Sequence, residues 1–190
     1  MKRNKMKTLT YSFFLLVLLA IISCKTSFTE NDLNKLIDLQ KKMSQQGFEF
    51  EADVVIPFNT QALNNVANNL LIRSGNNIAR IDVRGDHYTL KVSEQESEFT
   101  LPFYGERRIS GGYGTDTGFN FIADIKSIKS SINEKKGYLS YEFTTRNDAE
   151  MLDVELQIYQ PNNVRLNINS SHRTFMKYEG RLKWLEVEEE

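Results

Sequence analysis

The sequence predicts a mostly β fold: an antiparallel meander of eight to ten short strands that follows one N-terminal helix. From Phe48 onward apolar residues alternate with polar ones, which is the period of half-buried strands. The alternating segments are separated by short turns with no helical segment between them. Two arrangements fit this one-sided alternation, a lipocalin-like up-and-down barrel and a two-sheet sandwich, and the pattern does not choose between them.

Residues 29–46 are predicted to form the helix. Thr29 and Asp32 resemble a capping box at its start, and Gly47 is expected to end it in the left-handed conformation. Leu33, Leu36, Ile37, Gln40 and Met43 fall at helical spacing, which predicts one mainly apolar stripe along the helix. We expect the helix to cover one end of the domain. The alternative, a helix lying on a membrane surface, fits less well because its polar face mixes acidic and basic residues.

The first strands are predicted around an early hairpin. A strand over 48–56 ends at Pro57, and residues 60–74 read as mixed loop and short strand. Alternation at 79–83 and again at 88–92, around Gly85-Asp86, predicts a hairpin with a tight turn. The remaining strands are expected at 99–103, 118–122, 125–132 (weaker), 139–143, 152–158, 164–168 and 174–184.

The N-terminus has the pattern of a lipoprotein signal. Four basic residues precede the apolar run 13–22. Ser23 and Cys24, the only cysteine, follow that run directly. Ile21-Ile22-Ser23-Cys24 resembles a bacterial lipobox, in which the cysteine becomes the lipidated first residue of the mature protein. A membrane span is disfavoured because a bilayer core needs about 20 apolar residues. The other alternative is a plain secretory signal that leaves Cys24 as a free thiol.

This pattern divides the chain into four parts. Residues 1–23 are the expected signal peptide, 24–28 a lipidated start and short tether, 29–185 a single domain, and 186–190 an acidic tail. Four extended residues span only about 13 Å, so the domain should lie close to the membrane.

Composition argues against several functions. Residues 1–23 contain four of the 24 basic residues and none of the 25 acidic ones, so the remaining chain carries a formal charge of −5. A mildly acidic chain lacks the basic face that nucleic-acid binding requires. A lipidated Cys24 leaves no thiol for a disulfide, and two histidines are too few for a typical zinc site. We therefore expect no metal and no cofactor.

Four patches resemble the DUF4251 family, a domain of unknown function. They are Phe48-x-Phe50-x-Ala52 with Pro57, Leu101-Pro102-Phe103-Tyr104-Gly105, Gly111-Gly112-x-Gly114 leading to Phe119-x-Phe121, and Asn169-Ser170-x-x-Arg173 with Tyr178-x-Gly180. The chain departs from the family pattern in the order of Phe103 and Tyr104 and in having Glu106 before Arg107. The resemblance implies an extracytoplasmic lipoprotein, of a kind found mainly in Bacteroidota, and supplies no catalytic residue. In many lipoproteins of that bacterial group, acidic residues directly after the cysteine direct export to the cell surface. Lys25-Thr26-Ser27 follows Cys24 here, so by this analogy we expect the protein on the outer membrane, facing the periplasm.

The glycine-rich segment 105–118 is one candidate binding loop. It carries Arg107, Arg108 and Tyr113 and follows Tyr104, and such arginines and tyrosines are common recognition groups. The alternative is a compact, irregular connection between two strands. It is not a phosphate-binding P-loop, because the Lys-Ser/Thr pair of that motif is missing.

Arg173 and Tyr178, on either side of the last turn, are further candidates. Arg173 either binds an anionic group or pairs with a carboxylate within the fold. His87 and His172 lie far apart, and no G-x-S-x-G motif accompanies the serines. We therefore expect a non-catalytic module that binds a small apolar ligand in a barrel or an envelope protein at a sheet edge. The alternatives are a structural envelope-maintenance protein and, less favoured, a hydrolase of envelope polymers.

Overall fold

A computed structural model describes residues 28–58, 79–109 and 118–185. Within these ranges one helix precedes nine strands, and all paired strands are antiparallel. The elements are α1 (Glu30–Gln45), β1 (Phe48–Pro57), β2 (Ile81–Asp82), β3 (Thr89–Val92), β4 (Glu96–Leu101), β5 (Phe119–Asn133), β6 (Tyr138–Asn147), β7 (Glu150–Gln160), β8 (Asn163–Ser170) and β9 (Met176–Trp184).

Eight of the strands close into a barrel. They follow the order β1-β3-β4-β5-β6-β7-β8-β9, and β9 pairs back onto β1 along the whole of β1. The ninth strand, β2, pairs only with the distal part of β1. The predicted mostly β fold with one N-terminal helix is confirmed, and the barrel replaces the two-sheet alternative.

The predicted hairpin around Gly85-Asp86 is wrong. β2 pairs with Val54 and Val55 of β1, while β3 pairs with residues 48–51 of the same strand, so β2 and β3 run in one direction along one edge. The intervening loop contains left-handed residues at Gly85 (φ 91°) and His87 (φ 56°). The loop interrupts the pairing along one edge of β1, and the chain continues in the same direction after it.

β5 is longer than the sequence predicts. The two segments expected at 118–122 and 125–132 form one strand with a bulge between Ile125 and Ser127. Residues 119–124 pair with β4, whereas residues 125–133 pair with β6. The strand therefore extends well past the end of its β4 neighbour.

The start of α1 is as predicted, but its end is not. The Thr29 side chain accepts from the Asp32 backbone and the Asp32 side chain accepts from the Thr29 backbone, a complete capping box. The chain leaves α1 through Gln46 in an extended conformation, and Gly47 is not left-handed. Glycine is required at position 47 because a Cβ there would lie 2.9 Å from the Val92 carbonyl oxygen.

Apolar side chains fill the barrel, and its two ends are closed differently. Leu36 and Met43 of α1 cover one end, where the ring of Phe48 meets that of Tyr141 edge-on at 5.3 Å. At the other end, residues 102–109 pack against residues 171–175. The expectations for residues 1–27, 60–74 and 186–190, including Cys24, and for Tyr113 lie outside the described residues.

Candidate functional site

A buried ion pair lies at the barrel end opposite α1. Arg173 Nε is 2.9 Å from a carboxylate oxygen of Glu150, and both side chains are more than nine-tenths buried. Arg173 Nη1 donates to the Gly118 carbonyl at 2.7 Å, and the guanidinium lies 4.4 Å from the centre of the Phe119 ring. Arg173 thus pairs with a carboxylate within the fold, the second of the two roles considered for it.

The Ser170 hydroxyl completes this arrangement. It donates to Glu150 and accepts from the backbone N–H groups of His172 and Arg173, each at 3.0 Å. Its proton is therefore directed at a carboxylate within the fold. We call Glu150, Ser170 and Arg173 the Arg173 cluster.

Tyr178 is fully buried beside the same end of the barrel. Its hydroxyl donates to the Pro102 carbonyl at 2.7 Å, which fixes the chain just after β4. Burial raises the pKa of Tyr178 well above its ordinary value of 10. The phenol therefore stays protonated at physiological pH and acts as a fixed donor.

The described part of the predicted binding loop lies across this end as a strap. The Thr174 N–H donates to the Glu106 carbonyl at 2.9 Å, and the Arg108 N–H donates to the His172 carbonyl at 2.7 Å. Arg107 forms an isolated antiparallel bridge with Arg173. The backbone of the loop thus closes the barrel end.

The predicted site residues divide into two groups. Arg173 and Tyr178 point inward and hold the fold together. Tyr104 and Arg108 are exposed, and Arg107 is half-buried, on the surface of the same end. Partial burial is the main cause of a raised pKa at Tyr104. The structure therefore gathers these residues at one end without forming a cleft from the described ones.

Sequence reasoning missed a groove at the other end of the barrel. We call it the α1–β5 groove, because one wall is α1 and another is the second half of β5; the turn between β3 and β4 forms the third side. Its volume is about 580 Å³. Its lining includes five apolar or aromatic side chains and one glutamine: Ile37, Phe48, Val92, Ile128, Tyr141 and Gln40.

A second groove lies on the opposite side of α1. Phe28, Leu36 and Leu39 form its apolar part, together with Tyr159 and Pro161 from the β7–β8 turn. Four lysines line it: Lys35, Lys42, Lys135 and Lys136. Asp32 and Asp38 line it too, so Phe28, the first described residue, lies in a groove of mixed charge with an excess of lysines.

Comparison with protein families identifies the chain. A model of the family described as domain of unknown function DUF4251 matches residues 30–182, which is most of its length. The chain belongs to the DUF4251 family. The comparison with curated proteins gives no match.

Several residues that carry the DUF4251 resemblance meet in the Arg173 cluster and around it. Ser170 and Arg173 belong to the cluster, Phe119 lies under the guanidinium, and Pro102 accepts from Tyr178. They come from four separate stretches of the chain, and they meet only when the barrel closes. In this DUF4251 domain these residues hold the fold together at the barrel end opposite α1.

An ion-pair cluster on the outer face joins β1 to β9 in the DUF4251 domain. The Glu51 carboxylate is nearly buried and lies within 3.2 Å of both Arg181 and Lys183, while Arg181 also reaches Asp53 at 3.2 Å. The hydrogen bond from Lys183 is the main reason that the pKa of Glu51 is lowered from its ordinary value. His87 Nδ1 lies 3.6 Å from the same carboxylate.

No group of three or more His, Cys, Asp or Glu side chains in residues 28–58, 79–109 and 118–185 is placed to hold a metal ion. In the same ranges no helix is long and apolar enough to cross a membrane.

Proposed function

We propose that this protein is a lipid-anchored, non-catalytic binding module of the cell envelope that engages a protein partner through its outer surface. The observation that carries the proposal is the filled barrel. All eight strands of the closed barrel contribute at least one large side chain that is essentially inaccessible: Phe48, Phe50, Leu90, Phe99, Phe119, Leu139, Leu152, Leu156, Ile158, Leu166, Ile168 and Tyr178.

A filled interior favours a partner over a small apolar ligand. An eight-stranded barrel is just wide enough for side chains to fill it, and a ligand pocket needs several hundred Å³ of open space. The two grooves described above lie on the outside of the barrel, against α1. We therefore assign partner binding to the outer surface of the barrel, and the two grooves beside α1 are the candidate sites.

The sequence before the barrel supports anchoring at the α1 end. Three residues separate Cys24 from Phe28, so the lipidated residue would lie within about 14 Å of Phe28, just before α1. Phe28 lies beside Gly137 in the β5–β6 turn, and we infer that this turn faces the membrane as well. Lys25-Thr26-Ser27 directly after the cysteine supports a periplasm-facing orientation on the outer membrane.

The Arg173 cluster supports a non-catalytic role. A nucleophilic serine needs an adjacent base to accept its proton and space for a substrate. Ser170 does donate to the Glu150 carboxylate, but that carboxylate is paired with Arg173, and all three side chains are buried, which leaves no room for a substrate beside the Ser170 hydroxyl.

Replacement of the cysteine tests the anchor. We expect Cys24→Ser to release the protein from the membrane fraction and to remove the mass of the acyl chains from the intact protein. Thr26→Ala, two residues away, is the control and should remain in the membrane fraction. Retention of Cys24→Ser in the membrane would contradict lipid anchoring.

Orientation and cargo need separate measurements. Protease added to intact cells should leave the domain whole, and removal of the domain would show that it faces outward.

Native mass spectrometry of the protein extracted from membranes should give the lipidated chain without a second small molecule. A stoichiometric apolar molecule that survives extraction would contradict the partner-binding proposal.

A further inference from the structure

The second half of β5 has an open side. β5 pairs with β4 only as far as Asp124, opposite Glu96, whereas its pairing with β6 continues to Asn133. On the β4 side, the last backbone hydrogen bond among the described residues runs from the Ile125 N–H to the Gln95 carbonyl at 2.8 Å. Residues 126–131 are all exposed.

An open strand edge is a template for another strand. In an extended chain, alternate residues direct their N–H and C=O groups to the same side, so several such groups of residues 126–132 face outward with no backbone partner in the part of the chain that the structure describes. Seven residues are enough for a strand of ordinary length to pair.

The α1–β5 groove lies directly beside this edge and has an apolar surface. Ile37 of α1 and Ile128 of β5 are nearly half exposed, at 45% and 46%, although both line the groove. Gln40 Nε2 donates to Ser130 Oγ at 3.0 Å, which holds α1 against the strand. A strand added at the edge would therefore place every second side chain over this apolar surface.

We propose that the β5 edge pairs with an extended, acidic segment of a partner protein, whose alternate apolar side chains enter the α1–β5 groove. This inference rests on the proposed partner-binding function and names the surface and the class of partner. Main-chain hydrogen bonds supply affinity in this mode, and the pocket for alternate side chains supplies specificity.

The charges at the edge select the partner. Lys126 and Lys129 lie on the exposed part of β5, and neither forms an ion pair with another described residue. Pairing of two copies of this chain would gather four lysines along one short ladder, which is unfavourable. An acidic strand would place opposite charges beside both lysines.

Defined peptides test the proposal on the chain purified in detergent. The probe is a fluorescent (Val-Glu)4 peptide, and the controls are (Val-Lys)4 and two forms of the probe that are N-methylated at every valine or at every glutamate. We expect saturable binding of (Val-Glu)4 and none of (Val-Lys)4. One N-methylated form should bind and the other should not, because only one set of N–H groups faces β5.

Matched variants locate the site. Ile128→Asp should weaken peptide binding at least tenfold, because it places a charge in the groove. Ile122→Asp, on the same strand and 60% exposed but within the part paired to β4, should leave binding unchanged. Circular dichroism establishes that both variants are folded. Hydrogen exchange should show that alternate amides in 126–132 become protected when the peptide binds.

Other outcomes overturn the inference. These are absence of saturable binding, equal binding of (Val-Lys)4, and full binding by Ile128→Asp. Dimerisation of the chain with protection of the same amides would overturn it too, since the occupant would then be a second copy. The peptide assay does not depend on the membrane anchor, so its failure is distinguishable from retention of Cys24→Ser in the membrane or recovery of a bound small molecule.

Discussion

Arg173 shows how a single buried charge can support a whole barrel end. Its guanidinium contacts Glu150, the Gly118 carbonyl and the Phe119 ring, so it joins β5, β7 and the β8–β9 connection. A buried pair of this kind contributes little net stability over apolar residues, but removal of one partner leaves the other charge uncompensated.

Arg173→Met should lower the free energy of unfolding by about 3–5 kcal/mol, because Glu150 would remain buried without its partner. The double variant Arg173→Met, Glu150→Leu should recover a large part of this loss. Urea unfolding followed by the fluorescence of Trp184, the only tryptophan, measures both. The control is Arg108→Met at an exposed position, and a loss at Arg173 no larger than at Arg108 would contradict the role given to the cluster.

Glu51 predicts a dependence of stability on pH. Its pKa is lowered in the folded state, so its contribution is complete above the ordinary value of 4.5 and is lost as pH falls through the folded value. Glu51→Gln should cost about 1.5–3 kcal/mol of unfolding free energy at pH 7, the range for hydrogen bonds to charged groups. The difference from the unmodified protein should shrink as the pH is lowered below 4.5.

Unfolding at a series of pH values measures this effect. Glu49→Gln on the same strand is the control and should change stability by less than about 0.5 kcal/mol at pH 7. A difference between Glu51→Gln and the unmodified protein that stays constant from pH 7 to pH 3 would show that ionisation of Glu51 does not contribute.

At the scale of elements, closure of the barrel depends on the contact between β1 and β9. The register shifts between Ala52 and Val54, and at this bulge the β1 backbone comes very close to Gly180. A Cβ at position 180 would lie 2.0 Å from the Glu51 carbonyl oxygen and 2.9 Å from the Phe50 ring. Only glycine allows this approach.

Gly180→Ala should therefore destabilise the fold by about 1–3 kcal/mol or more, because the added methyl group must displace backbone. Thermal or urea unfolding provides the measurement. The control Asn162→Ala, in the exposed β7–β8 turn, should remain within about 0.5 kcal/mol of the unmodified protein. Equal stability of the two variants would mean that β1 can move away from β9 at little cost.

β5 is the element that carries both a structural and a proposed binding role. Its first half closes the barrel against β4, and its second half extends beyond β4 beside α1. The bulge at Ile125/Ser127 and the two lysines are features that limit self-association of strand edges. They leave the edge open to a strand of opposite charge.

At the scale of the whole molecule, the tightly filled interior is the observation on which the proposed function rests. Leu156→Ala should lower the free energy of unfolding by about 2–5 kcal/mol, since Leu156 is inaccessible and its loss leaves a cavity. Ile122→Ala on the exposed face of β5 is the matched control and should cost less than about 0.5 kcal/mol. Similar unfolding curves for the two variants would indicate a loosely packed barrel with room for a ligand.

Local pattern predicted the elements better than it predicted their pairing. The capping box at Thr29 and the strands from 139 to 184 followed from side-chain period and turn residues, which act over a few neighbours. The hairpin at Gly85-Asp86 did not form, because ten-residue β1 offers an edge long enough to pair with both β2 and β3 in turn. Gly47 was predicted to end α1 in the left-handed conformation, but glycine is needed there because the backbone lies in close contact with Val92.

The sequence by itself determined that the chain is mostly β with one N-terminal helix, and it marked Arg173 and Tyr178 as unusual. Only the tertiary structure decided that the sheet closes into a barrel, that both side chains face inward, and that β5 extends beyond the end of β4. These outcomes depend on contacts across long separations, such as Arg173 with Gly118, 55 residues away, and Tyr178 with Pro102, 76 residues away. Side-chain period specifies which face of a strand is buried, but the lengths of neighbouring strands specify which edge remains open.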